Sequence, residues 1–85
     1  MEFKRQLIEA LNQLCKTWEV KFIHGDKWNG CTVSAIYIER CVVSVFFKEN
    51  DCEYQCNSDA FVDLLLRGQM LSVKDFTEKE IYPYY

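Results

Sequence analysis

Five cysteines, Cys15, Cys31, Cys41, Cys52 and Cys56, and one histidine, His24, are the side chains best suited to chemistry in this sequence. They could in principle hold a metal ion, supply a thiol nucleophile or form disulfides. Metal binding needs chelating spacing, and Cys52 and Cys56 are the closest pair. Both fall in a segment with strand character, where four residues of extended chain span about 13 Å. That is too far for one zinc ion or for a mutual disulfide. His24 and Cys31 could pair as base and nucleophile, but no orienting group or oxyanion device stands at recognisable spacing. Phosphate-cradling glycine loops, paired catalytic carboxylates and a Gly-x-Ser-x-Gly elbow are also missing. The expectation is therefore no catalytic residue, no metal ligand and no cofactor. A small thiol enzyme using Cys31 and His24 is kept as one alternative.

The elements that would position these residues follow from length and pattern. The chain has 85 residues, 49% hydrophobic and 15% aromatic, which suits one packed core and a single domain over residues 1–85. Phe3, Leu7, Ala10, Leu11, Leu14 and Trp18 recur at helical spacing against a polar opposite side, predicting an amphipathic helix that ends near Thr17. From Glu19 the period changes to two, and Asn29-Gly30 is a strong hairpin signal. With those two residues as the loop, Phe22 faces Tyr37, Ile23 faces Ile36 and Glu19 faces Arg40; a looser loop from Gly25 to Gly30 is the alternative. Cys41–Lys48 and Cys52–Cys56 read as third and fourth strands around Asn50-Asp51, pairing Lys48 with Glu53, Phe47 with Tyr54 and Val45 with Cys56. A three-residue loop, Glu39 to Cys41, brings Val20, Phe22, Ala35, Tyr37, Val43, Val45 and Phe47 onto one face.

Asn57 or Ser58 can cap a second helix over Asp59–Arg67, with Gly68 as its stop. Met70–Phe76 is ambiguous between strand and loop. Thr77 with Glu80 resembles a short capping box, and the Ile81–Tyr85 tail, with three tyrosines around Pro83, is expected to pack back on the domain. The predicted fold is α+β: an N-terminal helix, a four-stranded antiparallel meander and a second helix, with both helices on one face of the sheet.

That arrangement leaves an outer sheet face carrying Ile23, Ile36, Ile38, Val42 and Phe46, a candidate surface for a protein partner or for a homodimer. A second feature is an acidic edge formed by Glu49, Asp51, Glu53, Asp59 and Asp63. Net charge is −3. Residues 1–48 hold seven Lys/Arg against five Asp/Glu (+2), and residues 49–85 hold three against eight (−5). This balance favours a basic or nucleic-acid-binding protein as partner and disfavours direct nucleic-acid binding. A single-stranded nucleic-acid binder stacking bases on Phe46 and Trp28 remains the other alternative. No run is long and apolar enough for a membrane span, and Glu2, Lys4, Arg5 and Glu9 break any export-type stretch. A cytoplasmic location with reduced thiols is expected. The leading expectation is a non-enzymatic binding module that inhibits or regulates another macromolecule. Compact phage and mobile-element accessory proteins, such as anti-restriction and anti-CRISPR inhibitors, offer an analogy only.

Overall fold

The computed structural model describes residues 2–73, so the expectations for Thr77, Glu80 and the Ile81–Tyr85 tail lie outside the described residues. The elements run α1 (Glu2–Thr17), β1 (Val20–Phe22), β2 (Val33–Glu39), β3 (Val42–Phe47), β4 (Glu53–Asn57), α2 (Ser58–Leu66) and β5 (Leu71–Val73). The class is α+β, with antiparallel sheets. In place of a four-stranded meander, β2, β3 and β4 form one sheet in that order and β1 pairs with β5 in a second. Among the described residues no helix is long and apolar enough to cross a membrane.

α1 is the expected amphipathic helix, turned slightly from its predicted face. Ile8 and Cys15 are buried, with Leu11 and Leu14 packed beside them, whereas Phe3 is 63% exposed. The buried stripe is thus centred on Ile8, Leu11 and Cys15, which keeps the same period but shifts it by about one position. α2 closes as predicted at both ends. The Asn57 side chain accepts from the Asp59 N–H at 2.8 Å. At the other end, Gly68 at φ +73° lets its N–H and that of Gln69 reach the carbonyls of Leu65 (3.0 Å) and Leu64 (2.9 Å).

β1 departs most from expectation. It meets the segment leading into β2 through a bridge between Lys21 and Thr32 and the Phe22 N–H bond to the Cys31 carbonyl at 2.9 Å, and its ladder partner is β5, with Val20 opposite Val73 and Phe22 opposite Leu71. The pairings Phe22–Tyr37, Ile23–Ile36 and Glu19–Arg40 therefore do not form. Residues 23–30 make a wide loop rather than a tight turn, and Asn29 acts through its side chain, donating to the carbonyls of Ile23 (3.1 Å) and Gly25 (3.2 Å). Two aromatic contacts seat this region on the core: Trp28 stacks on Phe47 with centroids 5.5 Å apart, and Phe22 lies 5.3 Å from the same ring.

The β2–β3 hairpin also differs in detail. Its turn is two residues, Arg40-Cys41, with Glu39 opposite Val42, in place of the three-residue loop. Arg40 occupies the left-handed region at φ +59°, which costs a non-glycine residue about 1–2 kcal/mol. The faces are reconciled farther along, where the register shifts between Val33 and Ala35. The two-residue turn already directs Ile36 and Ile38 toward Val45 and Val43 and Tyr37 outward, and the irregularity lets Val33 join the two isoleucines opposite Phe47. In β3–β4 the register moves by two residues, Val45 opposite Tyr54 and Val43 opposite Cys56. An even shift preserves the faces, so Val43, Val45, Tyr54 and Cys56 lie on one side as predicted. The loop between the two strands is held by the Asn50 side chain, which accepts from the Cys52 N–H at 2.9 Å.

The core joins Ile8 and Cys15 of α1, Val20 and Phe22 of β1, the inner residues of β2 and β3, Phe61 of α2, and Met70. The face assignment of β2 is directly measurable. Ile36→Ala is expected to destabilise the chain by about 2–5 kcal/mol. Tyr37→Ala is expected to cost no more than about 1 kcal/mol. Equal losses for the two variants in urea unfolding would overturn the described alternation.

Candidate interaction surface

The side of the sheet away from the core presents Ala35, Tyr37 and Glu39 from β2, Val42, Ser44 and Phe46 from β3, and Glu53, Gln55 and Asn57 from β4. Tyr37 is 55% exposed and Val42 43% exposed, and both stand on neighbouring strands of a paired sheet. Tyr37 meets the half-buried Phe46 edge-on, with ring centroids 5.8 Å apart, so the two aromatics brace one another in an open position. Gln55 spans the lower part of the face, donating to Ser44 Oγ at 3.2 Å and to Glu53 Oε2 at 2.8 Å. Beside it Glu39, Arg40, Val42, Ser44 and Gln55 line a shallow depression of about 370 Å³. A larger groove, about 510 Å³, runs between α1 and β2. There Asn12 reaches the strand edge and its side-chain oxygen accepts from the Ile36 N–H at 3.0 Å.

The structure redistributes the five residues expected on the outer face. Val42 and Phe46 are there. Ile36, at 1% exposure, belongs to the core, and Ile38 packs partly buried against it. Ile23 is half-buried in the loop after β1, its N–H bonded to the Met70 carbonyl at 2.9 Å. Tyr37, expected inside, takes their place. The two-residue turn at Arg40-Cys41 sets the faces of Ile36, Tyr37 and Ile38, the irregularity near Ser34 keeps Val33 inside with the two isoleucines, and the alternation of Thr32, Ser34 and Ile36 in the sequence gives no sign of either.

The acidic edge is similarly divided. The Glu49 carboxylate accepts from the Thr32 N–H at 2.8 Å, Asp59 pairs with Lys4 and so links the two helices, and Asp63 pairs with Arg67 at 3.2 Å. Glu49, Asp51 and Glu53 are the three of the five that form no ion pair among the described residues, and Glu53 lies on the outer face.

Among the described residues no three His, Cys, Asp or Glu side chains are grouped to hold a metal ion. His24 lies edge-on to Phe22 (6.3 Å) and Tyr54 (5.9 Å), in an aromatic setting. Burial pushes the Cys15 thiol up to about 11 despite the opposing charge of Lys48. Burial also raises Cys56, against its hydrogen bond with Tyr54, and lifts the Tyr54 phenol to about 12. Cys41 and Cys52 are exposed. Trp28, one of the aromatics proposed to stack bases, is turned onto Phe47 instead of outward.

Comparison with protein-family models, with curated proteins and with solved structures finds no match. The functional reading therefore rests on the geometry above.

Two measurements follow from these environments. Native-state thiol titration is expected to modify Cys41 and Cys52 first and Cys15 only on unfolding; fast modification of Cys31 near neutral pH would favour the thiol enzyme. The second concerns Glu49, whose carboxyl is held below its usual range mainly by the Thr32 backbone N–H and next by the Thr32 side chain. A folded value below the unfolded one means the stabilisation is full above the ordinary carboxylate range and lost as pH falls through the depressed value. Glu49→Gln is thus expected to lower the urea midpoint at neutral pH, and the difference from the parent chain should close in acid.

Proposed function

We propose that this chain is a non-enzymatic protein-binding module that regulates or inhibits a partner macromolecule by seating the outer face of the β2–β3–β4 sheet against it. The observation that supports this reading is the placement of Tyr37, Val42 and Phe46. Three apolar side chains stand together on a backbone already fixed by ladder pairing, two of them well exposed. Anchors of this kind lose little freedom on binding, and tyrosine is among the residues that contribute most at interface centres. The rim suits a basic partner: Glu39 and Glu53 flank the apolar centre, Asp51 lies just before β4, and Arg40 is the cation beside them. An exposed carboxylate rim favours encounter with a positively charged surface more than it adds affinity.

Single-stranded nucleic acid is the second reading, and the Tyr37–Phe46 pair on adjacent strands is the feature that favours it. The two carboxylates beside that pair oppose a phosphate backbone, which places this reading behind the first.

The double variant Tyr37→Ser/Phe46→Ser is expected to fold and to lose partner affinity by roughly tenfold or more. Leu66→Ser, at an exposed apolar position on α2, is expected to retain it. Affinity capture from the native host with all three chains, followed by titration of the recovered partner, makes the comparison. Equal capture by the double variant would remove the outer face from consideration. Binding of single-stranded DNA or RNA that weakens as salt rises would favour the second reading.

A further inference from the structure

The two edges of the three-stranded sheet are not equivalent. β2 forms one edge, and there α1 lies alongside, with Asn12 accepting the Ile36 N–H at 3.0 Å. That bond also fixes the direction of every peptide group in the sheet. The Ile36 N–H points away from β3, so Ile36 and Val45 are not a hydrogen-bonded pair, and the groups of Val45 turn toward Tyr54. The Ser58 N–H bond to the Cys41 carbonyl, at 2.7 Å, extends the same alternation past the end of β4. It follows that Tyr54 and Cys56 pair with β3, while the peptide groups of Gln55, and the N–H groups of Glu53 and Asn57, point outward along the free edge of β4. Among the described residues no hydrogen bond reaches the outward groups of Gln55. Glu53, Gln55 and Asn57 are all exposed.

We infer that the free edge of β4 is a strand-addition site whose occupant is a second copy of this chain. Outward N–H and C=O groups on a strand are complementary to another strand. A two-fold axis perpendicular to the sheet, centred on Gln55, is the one antiparallel self-pairing that uses all five residues of β4. In that register Gln55 exchanges two hydrogen bonds with Gln55 of the second copy, and Glu53 faces Asn57 of the second copy. No like charges stand opposite one another, whereas a register centred on Glu53 would oppose two carboxylates. The product is a single six-stranded antiparallel sheet in the order β2-β3-β4-β4-β3-β2, built from two three-stranded sheets. Both outer faces lie on the same side, so two Tyr37–Val42–Phe46 clusters share one surface. The pairing does not depend on the function proposed above, since it engages the edge and leaves the outer face open.

Sedimentation velocity of the full chain from micromolar to near-millimolar concentration tests the inference. The parent chain is expected to show a concentration-dependent monomer–dimer equilibrium. Because residue 55 faces its own copy, Gln55→Lys and Gln55→Glu are each expected to weaken dimerisation by about tenfold or more, and mixing the two variants is expected to restore it. Gln55→Pro removes an outward N–H without touching the β3 ladder, and is expected to give a folded monomer by circular dichroism. A parent chain that stays monomeric throughout, or a dimer that tolerates all three substitutions, would overturn the pairing.

Discussion

A strand presents alternate residues to opposite faces, so one irregular step in β2 exchanges the two faces for everything beyond it. The register shift between Val33 and Ala35 is that step. It allows Val33 to meet Phe47 on the same side on which Ile36 meets Val45, filling the core under β3 with three aliphatic side chains from β2. The two-residue turn at Arg40-Cys41, which opposes Tyr37 to Ser44, sends Tyr37 to the side of Phe46. Ile36 and Tyr37 are adjacent in the strand, so the buried side chain and the exposed ring beside it could not change face independently.

Charged groups on this chain serve structure as much as surface. Lys4 with Asp59 joins α1 to α2, and Glu49 satisfies a backbone donor that the start of β2 leaves unpaired by the ladder. Lys21 donates to Thr32 at 2.8 Å and lies 3.2 Å from Glu19, reinforcing the Lys21–Thr32 bridge between β1 and the segment leading into β2. A carboxylate-rich stretch of sequence therefore resolves into separate local roles, and the acidity that remains on the outer face is concentrated in Glu39 and Glu53 flanking apolar side chains.

How far the fold could be read in advance depended on the range of the interaction concerned. α2 was legible because its signals are local: Asn57 caps, Asp59 suits the first turn and Gly68 ends it. The faces of β3 and β4 were legible because an even register shift leaves alternation intact. The partner of β1 was not, since Leu71–Val73 lies about fifty residues away in a three-residue run with no periodic signature. The two-residue turn at Arg40 was hidden because it places a bulky residue in a conformation that glycine or asparagine normally occupies. Of the outer face, Val42 and Phe46 were visible beforehand. Tyr37 was not, because its side is decided by that same hidden turn.

Asn12 has a consequence that reaches beyond its own hydrogen bond. A sheet exposed at both margins can recruit neighbours without limit and grow into a fibre, whereas one that is sealed on one side has a single way to grow. By occupying the Ile36 N–H, the amide of Asn12 makes the first helix a stopper on the β2 margin. Any extension through the opposite margin then reaches closure after one event, giving a finite particle instead of an endless ribbon. A short side chain on a helix, lining the same groove as Tyr37, thereby limits how far the whole sheet can grow.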